Sequence, residues 1–149
     1  MLNQIVIMGR LTRDPELRRT GSGIAVASFC VAVERDWNNT ETGEKDVDFI
    51  ECVAWRQTGE FVSRYFSKGS MIVVSGRLQI RNWVDKEGNK RKTAEIVADN
   101  VYFGESKADR EARDANEMSK QVANYGFGSY KPLASEFEML DDDDAQLPF

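Results

Sequence analysis

Histidine is missing altogether, and only two cysteines, Cys30 and Cys52, occur in 149 residues. Without imidazole there is no histidine general acid or base and no histidine-containing zinc site. Two cysteines without a CxxC spacing do not make a zinc site either. Each lies in an apolar segment, where a thiol packs as a small hydrophobe, so both are read as reduced core thiols rather than as a disulfide. No metal or cofactor is expected. Long apolar runs are lacking too: no stretch approaches the 18 or more residues of a membrane span. The first residues lack the basic-then-apolar pattern and cleavage site of a secretory signal, and a cytoplasmic location is the expectation. Dense carboxylates occur only at Asp141–Asp144. A nuclease would need its metal-binding acids preorganised, and this segment offers no scaffold for that. The chain is therefore read as a non-enzyme.

What is present divides into two parts. Hydrophobic residues make up 41% and aromatics 10% of the chain, enough for one packed domain. The net charge of -5 is unevenly spread. Residues 1–104 carry 15 Lys and Arg against 14 Asp and Glu, whereas residues 105–149 carry 5 against 11. An acidic tail on a nearly neutral domain follows, and a neutral domain can still hold a basic groove if its charges segregate by face.

Strand patterns dominate residues 1–104. Leu2–Met8 is apolar and β-branched, and Glu16–Thr20 can add a short strand before the Gly21-Ser22-Gly23 turn. Ile24–Arg35 is apolar on both faces, so it is buried on both or meets a second subunit on one. Val47–Arg56 is the next strand. Thr58–Ser67 places Phe61, Val62, Tyr65 and Phe66 at helical spacing, with Thr58 as N-cap and Lys68-Gly69 as the stop. Met71–Val84 and Arg91–Phe103 flank a hairpin turn containing Gly88. Three strands, one short helix and two more strands, bent at Gly9 and Gly76, suit a small all-β closed barrel. Beyond Gly104, residues 105–140 read as a flexible linker with a transient helix over 105–123, because little apolar surface is available to offset ordering entropy.

Alternation along two strands points to chemistry. On Met71–Val84, the residues Arg77, Gln79, Arg81 and Trp83 share one face, opposite the apolar set Ile72, Val74, Leu78 and Ile80. On Val47–Arg56, Ile50, Cys52 and Ala54 suit a small barrel interior, which turns Phe49, Glu51, Val53 and Trp55 outward. Trp37 stands at the end of the preceding strand. Aromatic platforms at Trp37, Phe49, Trp55 and Trp83, with Arg10, Arg35, Arg56, Arg77 and Arg81 around them, suit a single-stranded nucleic acid: bases stack on rings and guanidiniums meet phosphates. Any one aromatic alone is more often a core or interface residue; Phe29, Phe61, Tyr65 and Phe66 are assigned so. Glu51 on the same face argues mildly against the reading. An RNA-binding barrel and a protein adaptor stay open as alternatives.

The last residues are Asp141, Asp142, Asp143, Asp144, Ala145, Gln146, Leu147, Pro148 and Phe149. A solvated acidic tail is the plain reading. The sharper one is a docking tip over 141–149: Phe149 fills an apolar pocket while a basic rim takes the carboxylates. The same acids can compete with a nucleic acid for the basic groove.

These residues resemble the bacterial-type single-stranded DNA-binding protein family. The matching segments are LNQIVIMGRLTRDP at 2–15, GIAVASFCVAVERDW at 23–37, DFIECVAWRQTGEFVSRYFSKGS at 48–70 and SGRLQIRNW at 75–83, together with the acidic run before LPF. The resemblance implies an oligonucleotide-binding barrel over 1–104 with no catalytic activity. It implies a homotetramer that wraps single-stranded DNA in replication, repair and recombination, paired between subunits along Asn3–Met8. It also implies stacking residues at Trp37, Phe49, Trp55 and Trp83, and partner proteins recruited by the tip. Two features depart from the family: Ala145-Gln146 separates the acids from LPF, and the linker is short. They fit a phage or mobile-element source as well as a host one.

Overall fold

The computed structural model describes residues 1–124, and the Asp141–Phe149 tip lies outside the described residues. In β1 (Ile5–Leu11), alternation turns Ile5, Ile7 and Leu11 inward and Val6, Met8 and Arg10 outward. The strand is offset from the expected Leu2–Met8, and Leu2 is exposed. A short β2 (Glu16–Arg19) leads to β3 (Ala25–Asn38) and β4 (Lys45–Trp55). Helix α1 (Arg56–Tyr65) follows β4 without a loop, then β5 (Met71–Val84), β6 (Lys90–Phe103) and α2 (Lys107–Asn124).

Five long strands close into an oligonucleotide-binding barrel in the order β1-β5-β6-β4-β3, and β3 returns to β1 through Arg10↔Ala32 and Leu11↔Val31. Among the described residues only β4 and β6 pair in parallel, and the sixth strand, β2, pairs with β3 alone. Closure needs the two glycines that the sequence marked as bends. A Cβ at Gly9 would collide with the Ala32 carbonyl where β1 crosses β3. At Gly76 it would collide with the Val97 carbonyl, beside a register shift that leaves Asp99 as the extra residue of a bulge.

Phe29, Val31, Val62, Ile72, Val74 and Ile96 fill the interior. Each such side chain stabilises the fold by about 1.5–3 kcal/mol relative to exposure. The two thiols are both free and buried, but on opposite faces of the sheet. Cys52 pairs with Phe29 and points inward, where burial pushes its thiol up to about 12. Cys30 pairs with Glu51 on the outer face, beneath Thr12, whose N–H and hydroxyl both donate to the Cys30 carbonyl at 3.0 and 3.4 Å.

Helix α1 departs from expectation at both ends. Trp55, still extended at φ -100 and ψ 150, is its N-cap, and no side chain caps it; Thr58 lies inside. It ends at Phe66, before Lys68, and Gly69 at φ 85 instead forms the turn into β5. Gly59 lets the helix approach the Ala54 carbonyl, and Phe61 and Phe66 form a ring cluster with Phe103, with Tyr65 half exposed on Phe61.

A second correction concerns β5. Ile72 and Val74 are buried as expected, but Leu78 and Ile80 are 44% and 52% exposed. The β5–β6 pairing continues to Val84↔Lys90 beyond the barrel, so this arm has no interior side. The compact barrel unit is Met1–Arg110; the described part of the remainder belongs to α2, none of whose residues is buried. No helix among the described residues is long and apolar enough to cross a membrane.

Candidate nucleic-acid interface

The candidate surface is the outer face of the sheet. Because Ala27, Phe29 and Val31 of β3 face Ala54, Cys52 and Ile50 of β4 inside, the alternate residues Phe49, Glu51, Val53 and Trp55 stand outside. Their β3 neighbours are small: Ala32 sits opposite Phe49 and Val26 opposite Trp55. The surface continues across β6 to β5, since Val53 aligns with Val97 and Val97 with Arg77. Gln79, Arg81 and Trp83 follow on that side, opposite Glu95, Thr93 and Arg91. Register thus joins the two aromatic strips predicted from alternation into one face. Trp55 is 44%, Phe49 69% and Trp83 42% exposed, so none of these rings is core. The Trp83 ring is oriented by its Nε1–H, which donates to Thr93 Oγ1 at 2.8 Å.

Trp37 is 85% exposed and stands at the end of β3, as its position in the sequence implied, within the register irregularity between Glu34 and Asn38. It stands on the β3–β4 hairpin beyond the barrel.

The arginines are less uniform than the rings. Arg77 and Arg56 make no ion pair among the described residues. Arg56 joins β4 to α1 at φ 56, the left-handed region that favours glycine, and shares an open depression with Trp55 and Arg19. Arg81 lies 3.7 Å from Glu95. Arg10 points outward beside Ala32 but is engaged by the Gly69 carbonyl and Glu105 at 3.0 and 3.5 Å. Arg35 is not brought to the Phe49 side: it binds Asp48, which faces Val33 on the inner side of the ladder. That guanidinium holds the Asp48 carboxyl below its ordinary value.

Two basic groups escaped the reading of the sequence. Lys90, Arg91 and Lys92 line a groove with Asn82 and Trp83 on the β5–β6 arm. The KRK run after the Gly88 turn was their visible signal. Arg13, from the loop after β1, reaches Glu51 at 3.0 Å, and that bond raises its pKa. Nothing in its sequence context distinguishes it from a solvated arginine. Among the described residues no group of three or more acidic or cysteine side chains is arranged to hold a metal ion.

Residues 2–104 match the single-strand binding protein family. The chain belongs to that family. A relative from Oceanobacillus iheyensis named single-stranded DNA-binding protein is 38% identical over 162 aligned residues, covering 100% of both chains. One of the same name from Staphylococcus aureus is 39% identical over 157 residues, again covering both completely. A third, from Halalkalibacterium halodurans, is 44% identical over 129 residues, 87% of this chain and 73% of its own. For this family member the matched residues coincide with the barrel and include every aromatic of the outer face.

Proposed function

We propose that the chain binds and protects single-stranded DNA without sequence dependence during replication, recombination and repair, as a binding protein and not an enzyme. The observation that carries this reading is the exposure of Phe49, Trp55 and Trp83 on one sheet face beside Arg77 and Arg81. Stacking is worth about 1–3 kcal/mol per base and accepts any base, because every base has a π-face. Trp37 extends the platform along the hairpin. Arg56 and Arg77 are the cations most ready to meet phosphate, and Arg10, Arg35 and Arg81 must first exchange a protein carboxylate or carbonyl for it. Location in the cytoplasm with the nucleoid follows from this role.

Assembly as a homotetramer is part of the reading. The β1 segment Ile5–Gly9 pairs with β5 on one side, and among the described residues its other edge has no strand against it. Val6 and Met8 beside that edge are exposed. An open, apolar strand edge is a template for a second copy. We assign residues 105–140 to a linker and Asp141–Asp144 with Leu147, Pro148 and Phe149 to the recruitment of genome-maintenance proteins, the acids steering encounter and the apolar residues anchoring.

The test is a tryptophan-fluorescence titration of the full chain with oligo(dT), duplex DNA and oligo(U) at low and high salt. Tight, salt-weakened quenching by oligo(dT), with little response to duplex, is expected. Equal quenching by oligo(U) would move the function to RNA, and silence with all three would remove it.

A further inference from the structure

Glu51 is the residue that this function does not absorb. It stands on the outer face of β4, one alternation step from Phe49 and two from Trp55, among the rings assigned to the bases. A carboxylate there repels phosphate, and Glu51 is still 44% exposed.

Its geometry is held. Oε2 accepts from Arg13 Nη2 at 3.0 Å, while Oε1 has no donor among the described residues. Arg13 in turn sits in a loop pinned on both sides: Thr12 N–H donates to the Cys30 carbonyl at 3.0 Å, and Asp14 Oδ1 accepts from Lys68 N–H at 2.8 Å. Across the ladder Glu51 meets Cys30 on β3, and the β4–β6 register that sets Cys52 against Ile96 brings Glu95, itself 3.7 Å from Arg81, to its other side. One carboxylate oxygen is thus oriented by the protein and the other is presented to whatever stacks beside Phe49.

We propose that Glu51 is a base-edge acceptor that adds, at the one step next to Phe49 of an otherwise sequence-tolerant surface, a preference for amino-bearing bases, cytosine foremost, over thymine. The inference rests on the single-stranded DNA reading and refines it. Cytosine offers its N4 amino group to Oε1, in a charge-assisted hydrogen bond. Thymine presents carbonyl O4 at the same edge position, acceptor against acceptor, so the carboxylate favours one base and disfavours the other. Arg13 offsets part of the charge, which lets a carboxylate remain on a face that also meets phosphates.

The experiment compares oligo(dC) and oligo(dT) of equal length, by fluorescence titration at fixed salt, for the parent chain, Glu51→Ala and Glu51→Gln. Glu51→Ala removes the acceptor and frees Arg13. The affinity ratio of oligo(dT) to oligo(dC) is expected to rise about fivefold or more, with oligo(dT) gaining and oligo(dC) not gaining. In Glu51→Gln the amide oxygen stays on Arg13 and the NH2 group takes the place of Oε1, a donor that meets thymine O4 and opposes cytosine N4, so its ratio should rise at least as far as that of Glu51→Ala. If both oligonucleotides tighten by the same factor in both variants, Glu51 acts through charge alone and the proposal is overturned. If the parent binds neither, the function proposed above fails first and this inference falls with it. The two failures are therefore distinguishable.

Discussion

Arg35 grips Asp48 with both arms of its guanidinium, Nε 2.9 Å from Oδ2 and Nη2 2.9 Å from Oδ1. Asp46 stands behind, 3.9 Å from Nη1. A bidentate carboxylate fills the same fork that a phosphate would use. The pair is exposed, so it contributes little to stability, and its consequence is for binding. Asp48→Asn should leave Arg35 available, tighten oligo(dT) binding at low salt, and steepen the slope of log affinity against log salt by about 0.7. Titrations at four or five salt concentrations measure that slope. An unchanged slope takes Arg35 off the DNA path.

Trp37 and Trp83 should separate binding from stability differently. Trp37 has no ring contact or hydrogen bond among the described residues and is 85% exposed. Trp37→Ala should leave the melting temperature unaltered while weakening oligo(dT) binding by about 1–3 kcal/mol. Trp83→Ala should weaken binding similarly but also lower the melting temperature slightly, because it removes the bond to Thr93. Thermal melts beside fluorescence titrations read both. Unchanged binding in either variant excludes that ring from the platform.

Barrel closure makes Gly9 intolerant. Its missing Cβ is what allows the Ala32 carbonyl and Val31 to approach, whereas Gly21 has open space around it. Gly9→Ala should cost about 1–3 kcal/mol in urea unfolding, with Gly21→Ala near neutral. Equal stability of the two variants would mean that β1 and β3 can separate without penalty.

Asp85 ties the β5–β6 turn together. It accepts from the Asn89 and Glu87 N–H groups at 2.9 and 3.0 Å and from Arg91 Nε at 3.1 Å. These bonds, the Asn89 backbone first, lower its pKa from the ordinary 3.8. A depressed carboxylate contributes stability that is fully present above its unfolded value and lost as pH falls through its folded value. The protection of amides 85–91, relative to their intrinsic exchange rates, should therefore fall below about pH 4, the unperturbed carboxylate value. Asp85→Asn, which keeps an acceptor but not the charge, should show no such loss of protection. Hydrogen-exchange NMR distinguishes the two, and pH-independent protection in the parent would refute the assignment.

The strands and the composition of the outer face were legible from period-two alternation, because each strand of a barrel has one side that must exclude water. Phe49 and Trp55 could be turned outward without coordinates, since Ile50, Cys52 and Ala54 were the better interior set. The same logic misplaced Leu78 and Ile80. Alternation reports two faces and not whether anything lies behind one of them, and the β5–β6 ladder outruns the barrel. The α1 boundaries were misread because local cap signals at Thr58 and Lys68-Gly69 were overridden by packing of Gly59 and Val62 against the barrel end.

By itself, the sequence determined the strand set, the absence of histidine chemistry, the outward aromatics and the bends at Gly9 and Gly76, all of which are local consequences of residue type and spacing. Tertiary structure alone decided which charges meet. Arg13 and Glu51 lie 38 positions apart and Arg10 and Glu105 lie 95 apart, so their pairing depends on how the strands close. Arg35 looked equivalent to Arg77 along the chain, yet the β3–β4 register turned it toward Asp48 and away from Phe49. Long-range register is fixed by the closure of the whole barrel, and no window of the sequence contains it.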